Sequence, residues 1–286
     1  MAYAEYKLSH LQTLLFSLAV DGRLAIAFSG GLDSRFLAHT AGKMDLNPLL
    51  LHADGPHIAR RESAFARQWA TAREMDLRCL RTDPLAVPEV AANERTRCYH
   101  CKKALFTLLK REAGALTLCD GTQASDAHAY RPGVAALREL GIHSPLADAG
   151  LMKPEIRQLA EQSGMDFPDQ RARPCLLTRF NYRLSPDAET LRAIDAAEEA
   201  LEKELAAWQG NNPVAALPDF RLRHVRPGVL ELHLTPISPA AADASRIPDV
   251  LRESLEATVK EATGAPLAAI RVMSNLSGFF DMEQPV

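Results

Sequence analysis

A six-residue segment near the N-terminus has the composition of a phosphate-binding loop. Its members are Ser29, Gly30, Gly31, Leu32, Asp33 and Ser34, between an apolar strand-like run and a predicted helix. Glycines let backbone N–H groups approach a phosphate, and the N-terminus of the following helix adds partial positive charge. The hydroxyls of Ser29 and Ser34 can donate further hydrogen bonds. Asp33 would repel phosphate unless a cation lies between them, which predicts Mg²⁺ at this carboxylate.

Three of the five cysteines stand where a thiol can react or bind metal. Cys98 and Cys101 form one Cys-x-x-Cys motif, and Cys175 has arginines on both sides that favour its thiolate. The motif alone fits a redox pair, half of a zinc site or two ligands of an iron–sulfur cluster. A second Cys-x-x-Cys is absent, which weakens structural zinc. The remaining cysteines, Cys79 and Cys119, lie in strand-like runs and are predicted to be buried.

The elements that must position these residues alternate between helix and strand. Strands are predicted at four runs: 24–28, 49–53, 77–81 and 116–119. Helices are predicted at 5–20, 34–42, 58–75 and 154–162. This order predicts an α/β fold with a mostly parallel sheet. Ligands bind at the carboxyl ends of such strands, so Ala53, at the end of the second one, is a candidate backbone contact for adenine.

A smaller α+β region is predicted after an irregular stretch at 167–181. Its predicted elements are helices at 186–208 and 239–262 and strands at 220–224, 229–234 and 269–272. We therefore expect two domains, 1–185 with the phosphate loop and 186–286 as a substrate-binding or oligomerisation region.

Composition excludes several classes of protein. The chain has 286 residues, 47% of them hydrophobic, and a net charge of -3, which does not suggest a general nucleic-acid binder. No apolar run reaches the roughly 18 residues of a membrane span. The odd number of cysteines and the lack of a recognisable export signal predict a cytoplasmic protein.

Together these motifs resemble the LarE-type ATP-dependent sacrificial sulfur transferases, a branch of the PP-loop ATP pyrophosphatase superfamily. The matching segments are 29–34, 98–106, 120–126, 130–133, 144–146, 175–179 and 221–224. The resemblance implies ATP-dependent adenylation of a carboxylate on a small pyridinium mononucleotide, a nickel-pincer cofactor precursor, followed by replacement of AMP with sulfur. Some members donate the sulfur of a single cysteine, whereas members with three cysteines hold a [4Fe-4S] cluster. Because Cys98, Cys101 and Cys175 are all present, the resemblance implies the cluster version.

Several polar residues are candidates for nucleotide contacts within this resemblance. Lys102 matches the family's lysine after the second cysteine and would neutralise charge on the phosphates or the adenylate. Asp126 follows the fourth strand and would approach Mg²⁺ or a ribose. Arg131 and Arg179 are candidate phosphate clamps, because a guanidinium binds phosphate through two hydrogen bonds.

The predicted strand at 220–224 carries a candidate substrate anchor. Arg221 and Arg223 alternate along it and would face the same side, where they could bind a substrate phosphate. The chain departs from the family pattern at Gln123, at Ser125 and after Cys175, which bears on the acceptor more than on the ATP chemistry.

Three other functions remain open from the sequence. These are a PP-loop tRNA thiolation enzyme, an ATP-dependent amide-forming synthetase and a non-enzymatic nucleotide-binding regulator. The amide synthetase leaves the three cysteines unexplained. The resemblance also implies a homo-oligomer, whereas the acceptor and the sulfur donor stay undetermined.

Overall fold

The computed structural model describes residues 2–128, 132–171, 173–212, 217–237 and 247–282. The chain divides into two compact units. The first contains Met1–Val90 and Thr96–Pro174, and the second contains Ala91–Arg95 and Cys175–Val286. The division after Pro174 precedes the boundary expected at residue 185. The phosphate loop belongs to the first unit, and Cys175 opens the main segment of the second.

The first unit is built on a parallel sheet. Its strands are β1 (Ala25–Ala27), β2 (Leu49–Asp54), β3 (Leu77–Arg81) and β4 (Leu118–Cys119). They lie in the order β3-β2-β1-β4, and each neighbouring pair is parallel. The predicted α/β fold is therefore confirmed, and it has the architecture of a PP-loop fold. The chain first moves outward to β3 and then returns to the other side of β1. This reversal creates a topological switch point between β1 and β4, where open α/β sheets bind ligands.

Helices cover both faces of this sheet. They are α1 (Ala2–Leu18), α2 (Leu32–Lys43), α3 (Arg60–Thr71), α4 (Pro88–Ala91), α5 (Arg97–Ala113), α6 (Pro132–Glu139), α7 (Pro145–Asp148) and α8 (Lys153–Gln162). Alternate residues along β1 enter different cores. Ile26 packs with α1, α2, α3 and α8, whereas Ala25 packs with α5 and α6. Each fully buried Leu, Ile or Phe contributes about 1.5–3 kcal/mol, so these two layers hold β1 rigidly in the centre.

The two cysteines predicted to be buried differ in the structure. Cys119 on β4 is fully buried, and burial raises the pKa of its thiol to about 12. Cys79 on β3 is exposed, so its predicted burial was wrong. The reason is topological: β3 is an edge strand, and Arg78 and Arg81 on it are exposed as well. A strand-like run of five residues does not reveal whether its strand lies at the centre or the edge of a sheet.

The second unit is a small α+β structure. Its elements are α9 (Ala188–Asn211), β5 (Phe220–Arg226), β6 (Val229–Leu234), α10 (Asp249–Thr263), β7 (Leu267–Val272) and α11 (Phe279–Met282). Strands lie in the order β5-β6-β7, with β5 antiparallel and β7 parallel to β6. Helix α9 packs against α10 and β5. The helix predicted at 239–262 is present as α10, and its predicted beginning at 239–246 lies outside the described residues. Among the helices described in the two units, none is long and apolar enough to cross a membrane.

Candidate active site

The phosphate loop turns from β1 into α2 through hydrogen bonds between its own residues. The hydroxyls of Ser29 and Ser34 lie 3.1 Å apart. The N–H of Gly31 donates to the Ser29 hydroxyl at 3.2 Å, and the Ser34 hydroxyl lies 3.1 Å from the carbonyl of Gly31. The loop thus has a defined shape, with α2 beginning at Leu32. Its position at the N-terminus of a helix suits an anion.

Two glycines allow neighbouring segments to approach this loop. Gly30 has a φ of +77°, and a Cβ there would lie 2.7 Å from the Cβ of Ala66 on α3. Gly121, just after β4, would place a Cβ 3.0 Å from the backbone nitrogen of Ser34. Both distances are shorter than ordinary carbon contacts, so α3 and the end of β4 enclose the loop only because these residues are glycine.

A buried arginine attaches the loop to the segment that follows α8. Arg35 is fully buried, and its guanidinium donates to the carbonyl of Gly30, to the carbonyls of Asp166 and Phe167 and to the amide oxygen of Gln170. Burial lowers the pKa of Arg35 to about 10, and the charge remains at neutral pH. Four acceptors compensate for the cost of burying this charge.

The strand end at β2 is anchored to β1 by a histidine. His52 is fully buried, and its Nδ1 lies 2.8 Å from the carbonyl oxygen of Phe28, the residue before the loop. Its Nε2 lies 3.0 Å from the hydroxyl of Ser63 on α3. Burial lowers the pKa of His52, which favours the neutral ring in this bridging position. The candidate adenine contact Ala53 follows directly and is 8% exposed.

The acidic residue of the loop has a basic partner. The ammonium of Lys153, the first residue of α8, lies 2.8 Å from each carboxylate oxygen of Asp33. Burial raises the pKa of Asp33; Lys153 opposes this effect, and the negative charge of Asp126 adds to it. The charges of Lys153 and Asp126 therefore both act on the Asp33 carboxylate beside the loop. Oxygen ligands of this kind suit Mg²⁺, so Asp33 and Asp126 fit the cation that accompanies ATP.

The segment after β4 is organised by a buried aspartate. Asp120 is 4% exposed, and its carboxylate accepts hydrogen bonds from the backbone and hydroxyl of Thr122 and from the hydroxyl of Ser144 at 2.7 Å. Gln123 donates to Asp126 through its backbone and its side chain. These bonds hold segments 120–126 and 144–146 together at the carboxyl end of the sheet.

The Cys-x-x-Cys motif occupies the first turns of α5. Cys98 is exposed and Cys101 is partly buried, and neither forms a disulfide. Spacing of three residues places them on the same side of the helix. A Cβ on Gly133 of α6 would lie 2.6 Å from Cδ of Lys102, so the stem of this lysine passes directly over a glycine. The absence of a side chain at position 133 thus determines the path of Lys102.

Cys175 lies in the second unit, immediately before a 3₁₀ turn at Leu176–Arg179. Its side chain is partly exposed and forms no disulfide. Arg179, a candidate phosphate clamp, is 3% exposed and donates to both carboxylate oxygens of Glu198, at 2.7 and 2.9 Å. A role of Arg179 at a nucleotide phosphate stays a prediction, and in this structure its guanidinium binds a carboxylate.

The candidate substrate anchors on β5 have different surroundings. Arg221 and Arg223 flank the fully buried Leu222, and the Nη1 of Arg221 donates to the carbonyl of Phe220. Arg223 is 3% exposed and donates to the carbonyls of Thr178 and Leu276. Its guanidinium also lies over two phenylalanine rings of α11. Binding of a substrate phosphate by either arginine stays a prediction.

One candidate, Arg131, lies outside the described residues. Within the ranges that the structure describes, no three side chains of His, Cys, Asp or Glu are gathered as ligands of one metal ion. The sequence did not predict four residues that the structure places in these contacts: Lys153, Arg35, Thr178 and Glu198. Of these, only Lys153 could have been identified from sequence, because a lysine in the first turn of a helix is unfavourable for the helix dipole and therefore suggests another role.

Known proteins resemble this chain over about two thirds of its length. No protein-family model matches the chain. The uncharacterised protein slr1717 of Synechocystis is 34% identical over 70% of this chain and 75% of its own length. The uncharacterised protein MJ0830 of Methanocaldococcus jannaschii is 30% identical over 68% of this chain and 75% of its own length. Pyridinium-3,5-bisthiocarboxylic acid mononucleotide synthase of Lactiplantibacillus plantarum is 26% identical over 66% of this chain and 70% of its own length.

The fold and the loop define an α/β protein of PP-loop type, with a candidate ligand site at the switch point of a parallel sheet. Within this class, the chain belongs to the family of slr1717 and MJ0830, and the synthase is a more distant relative.

Proposed function

We propose that this chain is an ATP-dependent sulfur transferase. It adenylates a carboxylate of a small pyridinium mononucleotide, releases pyrophosphate and replaces AMP with sulfur. The name of the synthase supports this acceptor class. The observation that carries the ATP half is the contact of Lys153 with Asp33 beside the loop, because it provides both a cation and an anion where a nucleotide phosphate and its Mg²⁺ require them.

In the first step, the acceptor carboxylate attacks the α-phosphorus of ATP, and pyrophosphate leaves. Backbone N–H groups of Gly30 and Gly31 and the hydroxyls of Ser29 and Ser34 bind the phosphates. Asp33, with Asp126 nearby, holds Mg²⁺, which neutralises phosphate charge. Lys153 then turns from Asp33 to the phosphate oxygens, where its charge stabilises the leaving group. Ala53 contacts the adenine through its backbone.

In the second step, a sulfur nucleophile attacks the acyl carbon and AMP leaves with the electrons of the broken C–O bond. Cys98, Cys101 and Cys175 are three thiols with the donor chemistry of an iron–sulfur cluster, and none of them forms a disulfide. These cysteines would hold a [4Fe-4S] cluster, which would supply the sulfide for this step. Lys102, held over Gly133, offsets the negative charge of the adenylate.

Four arginines complete the proposal. Arg131 and Arg179 bind nucleotide phosphate, and Arg221 and Arg223 bind the phosphate of the acceptor. For Arg223 this requires exchange of its present carbonyl partners for phosphate, whereas Arg179 keeps its contact with Glu198. The active form is a cytoplasmic homo-oligomer.

Anaerobic purification followed by iron and sulfide analysis tests whether the protein binds the iron–sulfur cluster proposed for the second step. Incubation with ATP, sulfide and a pyridinium dicarboxylate mononucleotide tests the whole reaction, with pyrophosphate and AMP measured and the product analysed by mass spectrometry. We expect about four irons per chain and a mass gain for exchange of oxygen by sulfur. The Asp33→Ala variant should release no pyrophosphate. Thiolation of added tRNA instead of the mononucleotide, or AMP binding without pyrophosphate release, would contradict the proposal.

A further inference from the structure

The backbone of Cys175 is connected to a buried ion pair through one hydroxyl group. Both the N–H and the Oγ1 hydroxyl of Thr178 contact the carbonyl oxygen of Cys175, at 3.0 and 2.7 Å. The same hydroxyl oxygen accepts a hydrogen bond from Nη1 of Arg179 at 2.9 Å. The Nε and Nη2 groups of the same guanidinium donate to the carboxylate of Glu198. A continuous chain of hydrogen bonds therefore runs from Glu198 on α9 to the peptide of Cys175.

The far end of this chain is rigid. Glu198 is 3% exposed, and its Oε1 also accepts a hydrogen bond from the backbone N–H of Leu222 on β5 at 3.0 Å. Burial alone would raise the pKa of Glu198, but the charge and hydrogen bonds of Arg179 outweigh burial and hold that pKa below its ordinary value. The carboxylate stays ionised and joins α9, β5 and the Cys175 turn.

The turn after Cys175 is held from β5 as well. Nη1 of Arg223 lies 3.3 Å from the carbonyl oxygen of Thr178. Phe180 forms a bridge with His224, and the N–H of Asn181 donates to the carbonyl of the same histidine at 3.0 Å. Replacing a buried ion pair by apolar residues is often neutral for stability. The defined geometry of the Arg179–Glu198 pair therefore points to a role in orientation rather than to a large gain in stability.

We propose that Thr178, Arg179 and Glu198 are positioning residues that orient the thiol of Cys175 for its role in the sulfur-transfer step. This inference rests on the proposed function, because it assigns the orientation of the thiol that the sulfur step uses. Since Thr178 holds the Cys175 carbonyl, the side chain of the cysteine retains only rotation about its own bonds. Displacement of a reacting group by about 1 Å can slow a reaction about 100-fold.

Thr178→Val tests the proposal with little change in shape, because valine replaces the hydroxyl by a methyl group. We expect formation of thiolated product to fall about tenfold or more, with pyrophosphate release within about twofold of wild type. Peptide mapping after brief alkylation should show an altered modification rate at Cys175. Thr178→Ser, which restores the hydroxyl, should recover most of the product. Ser254→Ala is the matched control, because Ser254 donates to Glu204 between α10 and α9 and does not touch the Cys175 turn.

The outcomes separate this inference from the proposed function. If Cys175→Ser abolishes product while Thr178→Val makes it at the wild-type rate, the positioning role is wrong and sulfur transfer stands. Equal losses in Thr178→Val and Ser254→Ala, matched by equal drops in thermal stability, would also overturn it. If the wild-type protein forms no thiolated product, the proposed function fails. If Cys175→Ser retains full product formation, the role of Cys175 is wrong, and the positioning role falls with it. Iron content measured in each variant shows whether loss of a cluster accompanies loss of product.

Discussion

The ammonium of Lys153 lies 2.8 Å from both oxygens of Asp33, and 120 residues separate the two along the chain. Asp33 stands in the phosphate loop and Lys153 begins α8. The pair places a positive charge beside the loop, where the phosphates of ATP would need it. The lysine also offsets the cost of burying the Asp33 carboxylate, because burial raises the pKa of that group.

Lys153→Met should therefore reduce pyrophosphate release about 100-fold. The loss removes a charge that stabilises the leaving phosphates, and leaves Asp33 beside Asp126 without its cation. Lys43→Met is the control, because Lys43 donates only to the carbonyl of Ser163 in an exposed position. Steady-state pyrophosphate assays at saturating ATP measure the effect. An unchanged rate in Lys153→Met would remove this lysine from the proposed mechanism.

Substitution of Gly30 should destabilise the protein more than substitution of a glycine with similar backbone geometry. In Gly30→Ala the new Cβ would meet Ala66, whereas at Gly22, with a φ of +72°, nothing lies within 4 Å. We expect Gly22→Ala to cost about 1–2 kcal/mol for its left-handed backbone, and Gly30→Ala a further 1–3 kcal/mol for overpacking. Urea denaturation of both variants gives the free energies of unfolding. Equal values would show that α3 moves aside without cost.

Cys175→Ser should retain pyrophosphate release and lose formation of thiolated product. Serine preserves the size of the side chain but provides neither a sulfur nucleophile nor a soft ligand for iron. Cys79→Ser is the control, because Cys79, like Cys175, forms no disulfide, and it lies exposed on the edge strand β3. Product is measured by mass spectrometry alongside pyrophosphate. Loss of product in both variants to the same extent would argue against a specific role for Cys175.

Stability should decline below neutral pH because buried histidines resist protonation. Burial lowers the pKa of His57 from 6.5 to about 4, although Asp83 and Asp54 oppose the shift. The unfolded chain therefore binds a proton below pH 6.5 that the folded chain does not accept until about pH 4. The free energy of unfolding should fall across that window and level off below it, by at most about 3 kcal/mol for this residue.

His57→Leu tests this pH dependence by urea denaturation at several pH values. The variant should lose less stability than wild type between neutral pH and pH 4. The pKa values of His39, His52, His224 and His233 are also lowered by burial, so some decline should remain in the variant. Parallel curves for the two proteins would show that His57 is accessible to protons in the folded state.

Much of the fold followed from local patterns. The runs at 77–81 and 229–234 match β3 and β6 at both ends. Loop 29–34 was placed correctly between a strand and a helix, since glycines and serines at such a junction have few other uses. The exposure of Cys79 could not be predicted, because local sequence does not state which strand forms the edge.

The partners of Arg179 and Arg223 could not be predicted from the sequence either. Arg179 and Arg223 were chosen as phosphate ligands because guanidinium suits phosphate, yet carboxylates and carbonyls satisfy the same donors. Glu198 and the carbonyl of Leu276 are such partners, and only packing brings them near.

The sequence by itself determined the parallel α/β class, the phosphate loop and the three thiols with possible chemical roles, because each depends on neighbouring residues and on periodicity. The tertiary structure alone decided that Lys153 meets Asp33, that Arg35 ties the loop to Gln170, and that Thr178 links Cys175 to a buried ion pair. The first two contacts join residues 120 and 135 positions apart. Such pairings arise when the two layers of helices pack on the sheet, and no local pattern in the chain records them.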